Sequence, residues 1–233
     1  MKIYWTKISD IIEESPDTKT YLIDCPEEYT WEEGAHIHLG LEGFNAGDKP
    51  DKSLVRHMSI STLPDEDKIG ITTRIREQRS DFKHRLDELT AGSPVAIFKT
   101  HSNVPLKRED KPVYLLSSGV GIATFRPLVL DYLSNPDKIE KIHSLNIDST
   151  KNYLFKDIFE TLPEKGLTSQ FVDNRKHYYE EVQKLAQDEE GLFYVVGSDA
   201  FLLENLAVLR GQGVSPEQIM LDKHEHRKQE FFL

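Results

Sequence analysis

The chain has 233 residues, a formal net charge of −11 and 38% hydrophobic residues, which suits one large domain or two modest soluble ones. No apolar run reaches the roughly 18 to 20 residues of a membrane span, and the N-terminal segment has no apolar signal core. From these two features we expect a cytoplasmic protein with no membrane segment. The acidic charge also argues against a nucleic-acid partner, because phosphate backbones attract basic surfaces.

The first hundred residues contain short strand-like runs separated by turn-forming segments. Repeated short strands joined by Gly, Pro and Asp turns predict an antiparallel β-barrel. Within them, Phe82, Leu86 and Leu89 recur at helical spacing after Ser80, which predicts a helix at 80–89 with Ser80 as its N-cap. The strand-like runs are 19–25, 36–41, 55–61, 69–75 and 95–100.

After about residue 112, apolar strands alternate with helical segments. This alternation predicts an α/β doubly wound, five-stranded parallel sheet with helices on both faces. We assign 1–108 to the barrel domain and 109–233 to the α/β domain. The predicted strands are 113–118, 141–147, 169–173, 192–197 and 218–222, and the predicted helices are 123–133, 151–162, 177–187 and 200–213.

Metal ligands are few in this sequence. Cys25 is the only cysteine, so the chain can form neither an internal disulfide nor the roughly four thiolate ligands of an iron–sulfur cluster. The nine histidines are scattered, and the HEH tract at 224–226 is interpreted as a solvated tail. We therefore expect no metal site, and an electron carrier here would be organic or would sit on a partner.

Two segments of the barrel half carry groups suited to binding a phosphate or a ring. Arg56 and Met58 share one face of a predicted strand, and Ser59 points to the opposite face. The arginine fork suits a phosphate, although an ordinary barrel strand is the alternative. Ser80 begins a helix, where free N–H groups bind anions, but a serine in this position is more often simply an N-cap.

Two strand-to-helix turns of the α/β half carry glycines. The segment 118–125 follows an apolar strand and opens a helix, and its Gly119 and Gly121 allow a tight turn close to a pyrophosphate. In the segment 194–199, Gly197 opens space at the carboxyl edge of the sheet, where doubly wound sheets bind nucleotides. The alternative for the second turn is an ordinary N-cap formed by Ser198 or Asp199.

In this order, the four segments resemble the ferredoxin-NADP reductase family over nearly the whole chain, closest to a bacterial branch. RHMSIS is similar to the family's R-x-[FY]-S flavin motif, and TTRIREQRSDFKHRLDELTAGSPVAI to the stretch that carries its flavin-pyrophosphate serine. LLSSGVGIATFRPL resembles the G-x-G-I-T-P-F-x-S nucleotide motif. YVVGSDAFLLENLAVLRGQGV resembles the Y-x-[CA]-G-P-x-x-M segment.

The resemblance implies FAD, together with NADH or NADPH, as cofactors. Arg56 would pair with a flavin phosphate, and the implied catalytic residues are Met58, against the isoalloxazine ring, and Ser59, near its reactive nitrogen. The other implied flavin-binding residues are His57, Ile71, Thr72, Thr73, Ser80, Asp81 and Phe82. The implied nucleotide-binding residues are Gly119, Gly121, Ile122, Ala123, Asp148, Gly197 and Ser198.

The departures from the family pattern lie at the flavin ring and on the nicotinamide side. Met58 replaces an aromatic residue, and Asp148 stands where the family often has arginine. Asp148 favours NADH, because a carboxylate accepts hydrogen bonds from ribose hydroxyls and repels the NADPH phosphate. The opposite preference would follow if a phosphate were held by Ser149, Thr150, Lys151 and Arg175. The remaining departures are Ala123-Thr124 for Thr-Pro, Ser198-Asp199 for Gly-Pro and Val196 for a cysteine.

The activity implied by the resemblance is hydride transfer from NAD(P)H to FAD, followed by electron transfer to a small-molecule or protein acceptor. Such hydride transfer needs no general acid or base from the protein. The net charge of −11 disfavours an acidic ferredoxin as the acceptor. Two alternatives stay open: a flavin-binding protein without productive NAD(P)H turnover, and an electron-transfer subunit that needs a partner carrying a metal centre.

Overall fold

The structure, a computed structural model, describes residues 2–160 and 165–232, apart from the side chains of 225 and 226. The chain divides into two units, Met1–Ser102 and Asn103–Leu233, which we call the barrel unit and the sheet unit. This division falls earlier in the chain than the predicted boundary at 108/109.

The barrel unit is a six-stranded antiparallel sheet with one short helix. Its strand order is β4-β3-β6-β1-β2-β5, so β4 and β5 are the two edges of the sheet and the barrel is open rather than closed. The antiparallel barrel-like class is thereby confirmed. The elements are β1 (Tyr4–Ser15), β2 (Thr18–Asp24), β3 (Ala35–Leu41), β4 (Val55–Ser59), β5 (Lys68–Arg74), α1 (Asp81–Asp87) and β6 (Pro94–Ser102).

Strand β1 is the barrel strand that the sequence analysis missed. Ile8 is its only fully buried residue, and the rest of the strand alternates between exposed and half-buried positions. Trp5 and Ile12 are exposed, and the pairing with β2 shifts register between Ile8 and Asp10, so apolar residues do not alternate regularly along the strand. The strand nevertheless holds the barrel together, because it pairs with β2 on one side and β6 on the other.

The core of the barrel unit forms because alternate strand residues face inward. Ile37 and Leu39 of β3 and Ile69 and Ile71 of β5 are fully buried in one apolar cluster. Helix α1 closes this cluster with Phe82.

The sheet unit is a five-stranded parallel sheet in the order β11-β10-β7-β8-β9, which confirms the predicted doubly wound class. Both faces are covered: Leu115 of β7 packs into one apolar cluster, and its neighbours Tyr114 and Leu116 pack into another. Its strands are β7 (Lys111–Ser118), β8 (Ile139–Ile147), β9 (Leu167–Val172), β10 (Leu192–Val196) and β11 (Ile219–Leu221). Its helices are α2 (Ile122–Ser134), α3 (Lys156–Phe159), α4 (Arg175–Leu185), α5 (Asp199–Gly211) and α6 (Glu225–Phe232).

Two helices differ from the prediction. The helix predicted at 151–162 is reduced in the described residues to Lys156–Phe159, because Lys151 and Phe155 have left-handed backbones that interrupt a helix. Residues 161–164 of that prediction lie outside the described residues. The predicted solvated tail at 224–226 leads into helix α6, whose Phe231 is buried in the sheet unit, although the side chains at 225 and 226 are not described.

The helices of the structure are short, and the sequence predicts no membrane-spanning segment. Across residues 2–160 and 165–232, no helix combines the length and the apolar character that crossing a bilayer requires. The longest helices, α2 and α5, have 13 residues each.

Candidate functional site

The open edge of the barrel unit brings Arg56 against the start of helix α1. The Arg56 guanidinium carbon lies 5.2 Å from the centre of the buried Phe82 ring. Its Nη1 also donates to the carbonyl oxygens of Val55 at 2.7 Å and Lys52 at 3.2 Å. No carboxylate within the described residues forms an ion pair with Arg56. Two segments that are distant in the sequence therefore meet at an arginine whose charge has no carboxylate partner.

The rest of the β4 motif lies on both faces of the strand, as its alternation predicts. Met58 is opposite Ile37 and is 9% exposed, within the core of the barrel unit. Ser59 is half-buried opposite His36. The exposed His57 lies on the same face as Ser59, because alternate residues of a strand share a face. The roles of Met58, Ser59 and His57 at a flavin stay predictions.

The other edge strand, β5, offers its main chain rather than its side chains. Ile71, Thr72 and Thr73 are all buried. The Thr72 hydroxyl is hydrogen-bonded to the Thr20 hydroxyl at 2.7 Å and donates to the Ser61 hydroxyl at 2.9 Å. A ligand at this edge would therefore meet the backbone of residues 71–73.

Ser80 is the N-cap of α1, as predicted, and its hydroxyl accepts a 3.4 Å hydrogen bond from the Lys83 amide. Next to it, Lys83 donates its Nζ to the Arg74 carbonyl oxygen at 2.7 Å. Burial, together with the positive charges of Arg76 and Arg74, lowers the pKa of Lys83. Asp81, the first residue of α1, is exposed.

Lys83 and Arg76 were not among the predicted site residues. The signal in the sequence was a concentration of basic residues between 74 and 85, within a chain whose net charge is −11. Like charges held together repel one another, and an anion bound among them removes that repulsion. This region is therefore suited to a phosphate group.

In the sheet unit, the first glycine turn leaves no room for side chains. Gly119 has a positive φ of 52°. A Cβ on Gly121 would lie 2.8 Å from the carbonyl oxygen of Val196, a backbone atom that cannot easily move. Ile122 and Ala123 are buried, so this turn can present only backbone groups to a ligand.

A buried asparagine that the sequence analysis missed supports this turn. Asn146 of β8 donates its Nδ2 to the Ser117 hydroxyl at 2.9 Å and to the Gly119 carbonyl oxygen at 3.2 Å. Its signal was one amide side chain between Leu145 and Ile147, at the end of a predicted strand. Because these hydrogen bonds fix the carbonyl of Gly119, Asn146 orients the turn.

The second glycine turn packs against its own helix. A Cβ on Gly197 would lie 2.5 Å from Cδ1 of Phe201, so only glycine fits without displacing that ring. The Ser198 hydroxyl accepts a 3.3 Å hydrogen bond from the Phe201 amide and caps α5. Asp199 is paired with Lys223 at 2.8 Å, and this hydrogen bond is the main reason that the pKa of Asp199 is lowered.

The charged residues after β8 already have partners in the protein. Asp148 is 4% exposed, and its Oδ1 accepts hydrogen bonds from the Thr150 amide at 2.8 Å and the Thr150 hydroxyl at 2.6 Å. Lys151 pairs with Asp173 at 2.9 Å, and Arg175 pairs with Glu204 at 3.1 Å. Asp148 is therefore a buried turn residue, and neither cation stands unpaired at this edge.

Solved structures of known proteins share this fold. A ferredoxin NADP+ reductase from Neisseria gonorrhoeae, with bound FAD and NADP, superposes with a TM-score of 0.79 at 18% identity, covering 95% of this chain and 98% of that one. The CS-b5R domains of human Ncb5or in the NAD+ form give a TM-score of 0.79 at 15% identity, covering 95% and 70%. A ferredoxin-NADP+ reductase from Plasmodium falciparum gives 0.77 at 12% identity, covering 94% and 95%.

Comparisons of the sequence itself are negative. No protein-family model matches the chain, and no curated protein matches it significantly. The likeness is therefore one of three-dimensional structure, extending over nearly the whole chain at identities of 12% to 18%. The chain has the fold of these ferredoxin-NADP+ reductases and of the CS-b5R domains of human Ncb5or.

Proposed function

We propose that this protein is an FAD-dependent oxidoreductase that takes a hydride from NADH or NADPH and passes the electrons to a small-molecule or protein acceptor. The observation that carries the proposal is the contact between Arg56 and Phe82 at the open edge of the barrel unit. At this contact the Arg56 guanidinium, which forms no ion pair with a carboxylate of the described residues, lies against Phe82, two residues after the Ser80 N-cap. FAD and NADP are bound in the N. gonorrhoeae reductase, which has the same fold.

The barrel unit fits the phosphates of FAD. Arg56 supplies a fork that can bind one phosphate, and Ser80 with the amides of Asp81 and Phe82 supplies a second contact. Lys83 and Arg76 add positive charge; burial first, and then the neighbouring cations Arg76 and Arg74, lower the pKa of Lys83, and a bound pyrophosphate would offset the repulsion between these cations. Two phosphate contacts favour FAD over FMN, which has one phosphate.

The edge strands β4 and β5 provide surfaces for the flavin ring. The backbone of 71–73 on β5 can exchange hydrogen bonds with the polar edge of the ring. Met58 provides a thioether contact in place of a stacked aromatic ring. Ser59, half-buried on β4, provides a hydroxyl that would hydrogen-bond near the reactive nitrogen. Bound FAD would supply the hydride-accepting ring, and the chain supplies the binding and orientation.

The sheet unit fits the nicotinamide nucleotide by shape and backbone. The turn at Gly119 and Gly121 opens α2 and can approach the pyrophosphate closely, since Ile122 and Ala123 keep their side chains buried. Gly197 and Ser198 would contribute backbone groups of the second turn to the nicotinamide site, although Phe201 packs against Gly197. Lys151 and Arg175, the two cations predicted to hold a 2′-phosphate, already form ion pairs within the protein. This pairing favours NADH over NADPH as the bound nucleotide.

The test is reconstitution of the purified protein with FAD or FMN, followed by NADH and NADPH oxidation with ferricyanide as the acceptor. We expect FAD to bind more tightly than FMN and to support turnover, faster with NADH. Binding of FAD without turnover with either nucleotide would instead support a flavin-binding protein or an electron-transfer subunit. Failure to bind either flavin would contradict the proposal.

A further inference from the structure

Four histidines cluster on the outer face of the barrel sheet. His36 and His38 alternate with the core residues Ile37 and Leu39 of β3, so they point away from the core. On the neighbouring strands, His57 lies opposite His38, and His101 lies opposite His36. We call these four residues the histidine face. Since they come from three strands, the sequence alone gave no sign that they meet.

The imidazole rings of the histidine face are close enough to interact. The rings of His36 and His57 stack with centres 5.1 Å apart and planes at 23°, and each brings a ring nitrogen within 4.8 Å of the other. The ring of His38 lies 3.9 Å from that of His57. His101 contacts His36 edge-on at 6.0 Å.

We propose that the histidine face binds a divalent transition-metal ion of the Zn²⁺ or Cu²⁺ type, with His36 and His57 as its protein ligands. Imidazole suits these ions, and its bonds to Zn²⁺ are about 2.0–2.1 Å long. Two nitrogens within 4.8 Å reach one ion with small side-chain adjustments. This proposal does not require the chain to bind FAD, but it assigns His57 to a metal ion in place of the flavin contact that the resemblance implies, and it departs from the expectation from the sequence that no metal binds.

Two further features favour such an ion. His57 is exposed and gives the ion a route from solvent, whereas His36 is 4% exposed and is held by β3 between two neighbouring strands. The net charge of −11 also raises the local concentration of divalent cations around the protein. One fixed ligand and one accessible ligand make a site that is formed in advance and open to exchange.

The test is titration of the full-length protein with Zn²⁺ by calorimetry, in excess Mg²⁺ so that surface carboxylates are occupied. We expect saturable binding of one ion, weakened about tenfold or more in His36→Ala and in His57→Ala. The matched control is His177→Ala, which removes an exposed histidine of α4 and should leave Zn²⁺ affinity unchanged. Circular dichroism would verify that each variant is folded.

A second measurement reads the ligands directly. The electron paramagnetic resonance spectrum of bound Cu²⁺ should show nitrogen hyperfine structure in the wild type and in His177→Ala, reduced in His36→Ala and His57→Ala. Absence of saturable Zn²⁺ binding would overturn the proposal. So would equal affinity in folded His36→Ala, or a Cu²⁺ spectrum that His57→Ala leaves unchanged.

Discussion

The barrel unit and the sheet unit differ in how they treat positive charge near the predicted phosphate sites. In the barrel unit, Arg56 has no carboxylate partner in the described ranges, although Arg74 and Arg79 of the same unit pair with Asp17 at 3.3 Å and Asp87 at 3.0 Å. In the sheet unit, Lys151 and Arg175 are each engaged by a carboxylate. The difference indicates that the barrel unit would hold its ligand largely by charge, and the sheet unit by backbone and shape.

The largest expected effect is on the free energy of unfolding, when the Phe82 ring that Arg56 lies against is removed. Phe82→Ala should lower the free energy of unfolding by about 3–5 kcal/mol, because Phe82 is fully buried in the barrel core. Urea unfolding followed by circular dichroism measures this change. Leu89→Ala, at a half-buried position beside the same core, is the matched control and should cost less. A loss no larger in Phe82→Ala than in Leu89→Ala would show that the helix contributes little.

The charge difference itself can be tested at Arg56. Arg56→Ala should weaken FAD binding by about 1.5–3 kcal/mol, the scale of a hydrogen bond to a charged group. Quenching of flavin fluorescence on binding measures the affinity. Arg210→Ala, in the sheet unit, is the control and should leave FAD affinity unchanged. Unchanged affinity in Arg56→Ala would remove this residue from the flavin site.

The proposed preference for NADH can be tested at Asp148. Asp148→Arg should shift the ratio of catalytic efficiencies toward NADPH roughly tenfold, about 1.4 kcal/mol of differential binding. Because Asp148 accepts two hydrogen bonds from Thr150, Asp148→Asn is the control that keeps an acceptor while removing the charge. A wild type that prefers NADPH would refute the role of Asp148 and direct attention to Lys151 and Arg175.

The smallest expected effect is a pH dependence in the sheet unit. Burial lowers the pKa of His143 below its ordinary value of 6.5. The unfolded chain therefore takes up this proton first as the pH falls, so His143 reduces stability below about pH 6.5 and has no such effect well above it.

The comparison is between wild type and His143→Gln, whose amide can still bond the Thr168 hydroxyl that lies 2.8 Å from Nδ1 of His143. In thermal unfolding at about pH 7.5 and about pH 5.5, the Tm of His143→Gln relative to that of the wild type should be higher at the lower pH. A constant difference between the two proteins at both pH values would contradict the burial effect.

The sequence predicted the fold class because strong periodicity marks most elements, but weak local signals failed. Strand β1 exposes charged residues on one side and was missed. The helix predicted at 151–162 is interrupted by left-handed backbones at Lys151 and Phe155, which composition does not show. Helix α6 begins within the polar tract at 224–226, and of its described side chains only Phe231 and Phe232 at its end pack against the core of the sheet unit.

For the candidate site, the sequence predicted where the glycine turns and the Ser80 cap lie but not how the nearby charges are paired. The glycine turns and the Ser80 cap follow from local backbone requirements, so a short motif is enough to find them. The pairs Lys151–Asp173 and Arg175–Glu204 join different elements, as does the hydrogen bond from Asn146 to Ser117. Such contacts depend on the tertiary fold, and no spacing along the chain reveals them.

The proposed function requires that this chain bind FAD and reduce it with a nicotinamide nucleotide. The most direct measurement is the visible absorbance of the FAD-reconstituted protein, kept free of oxygen, on addition of NADH or NADPH. We predict that the yellow colour bleaches with both nucleotides and faster with NADH. A protein that takes up no FAD, or a yellow protein that neither nucleotide bleaches, would contradict the account.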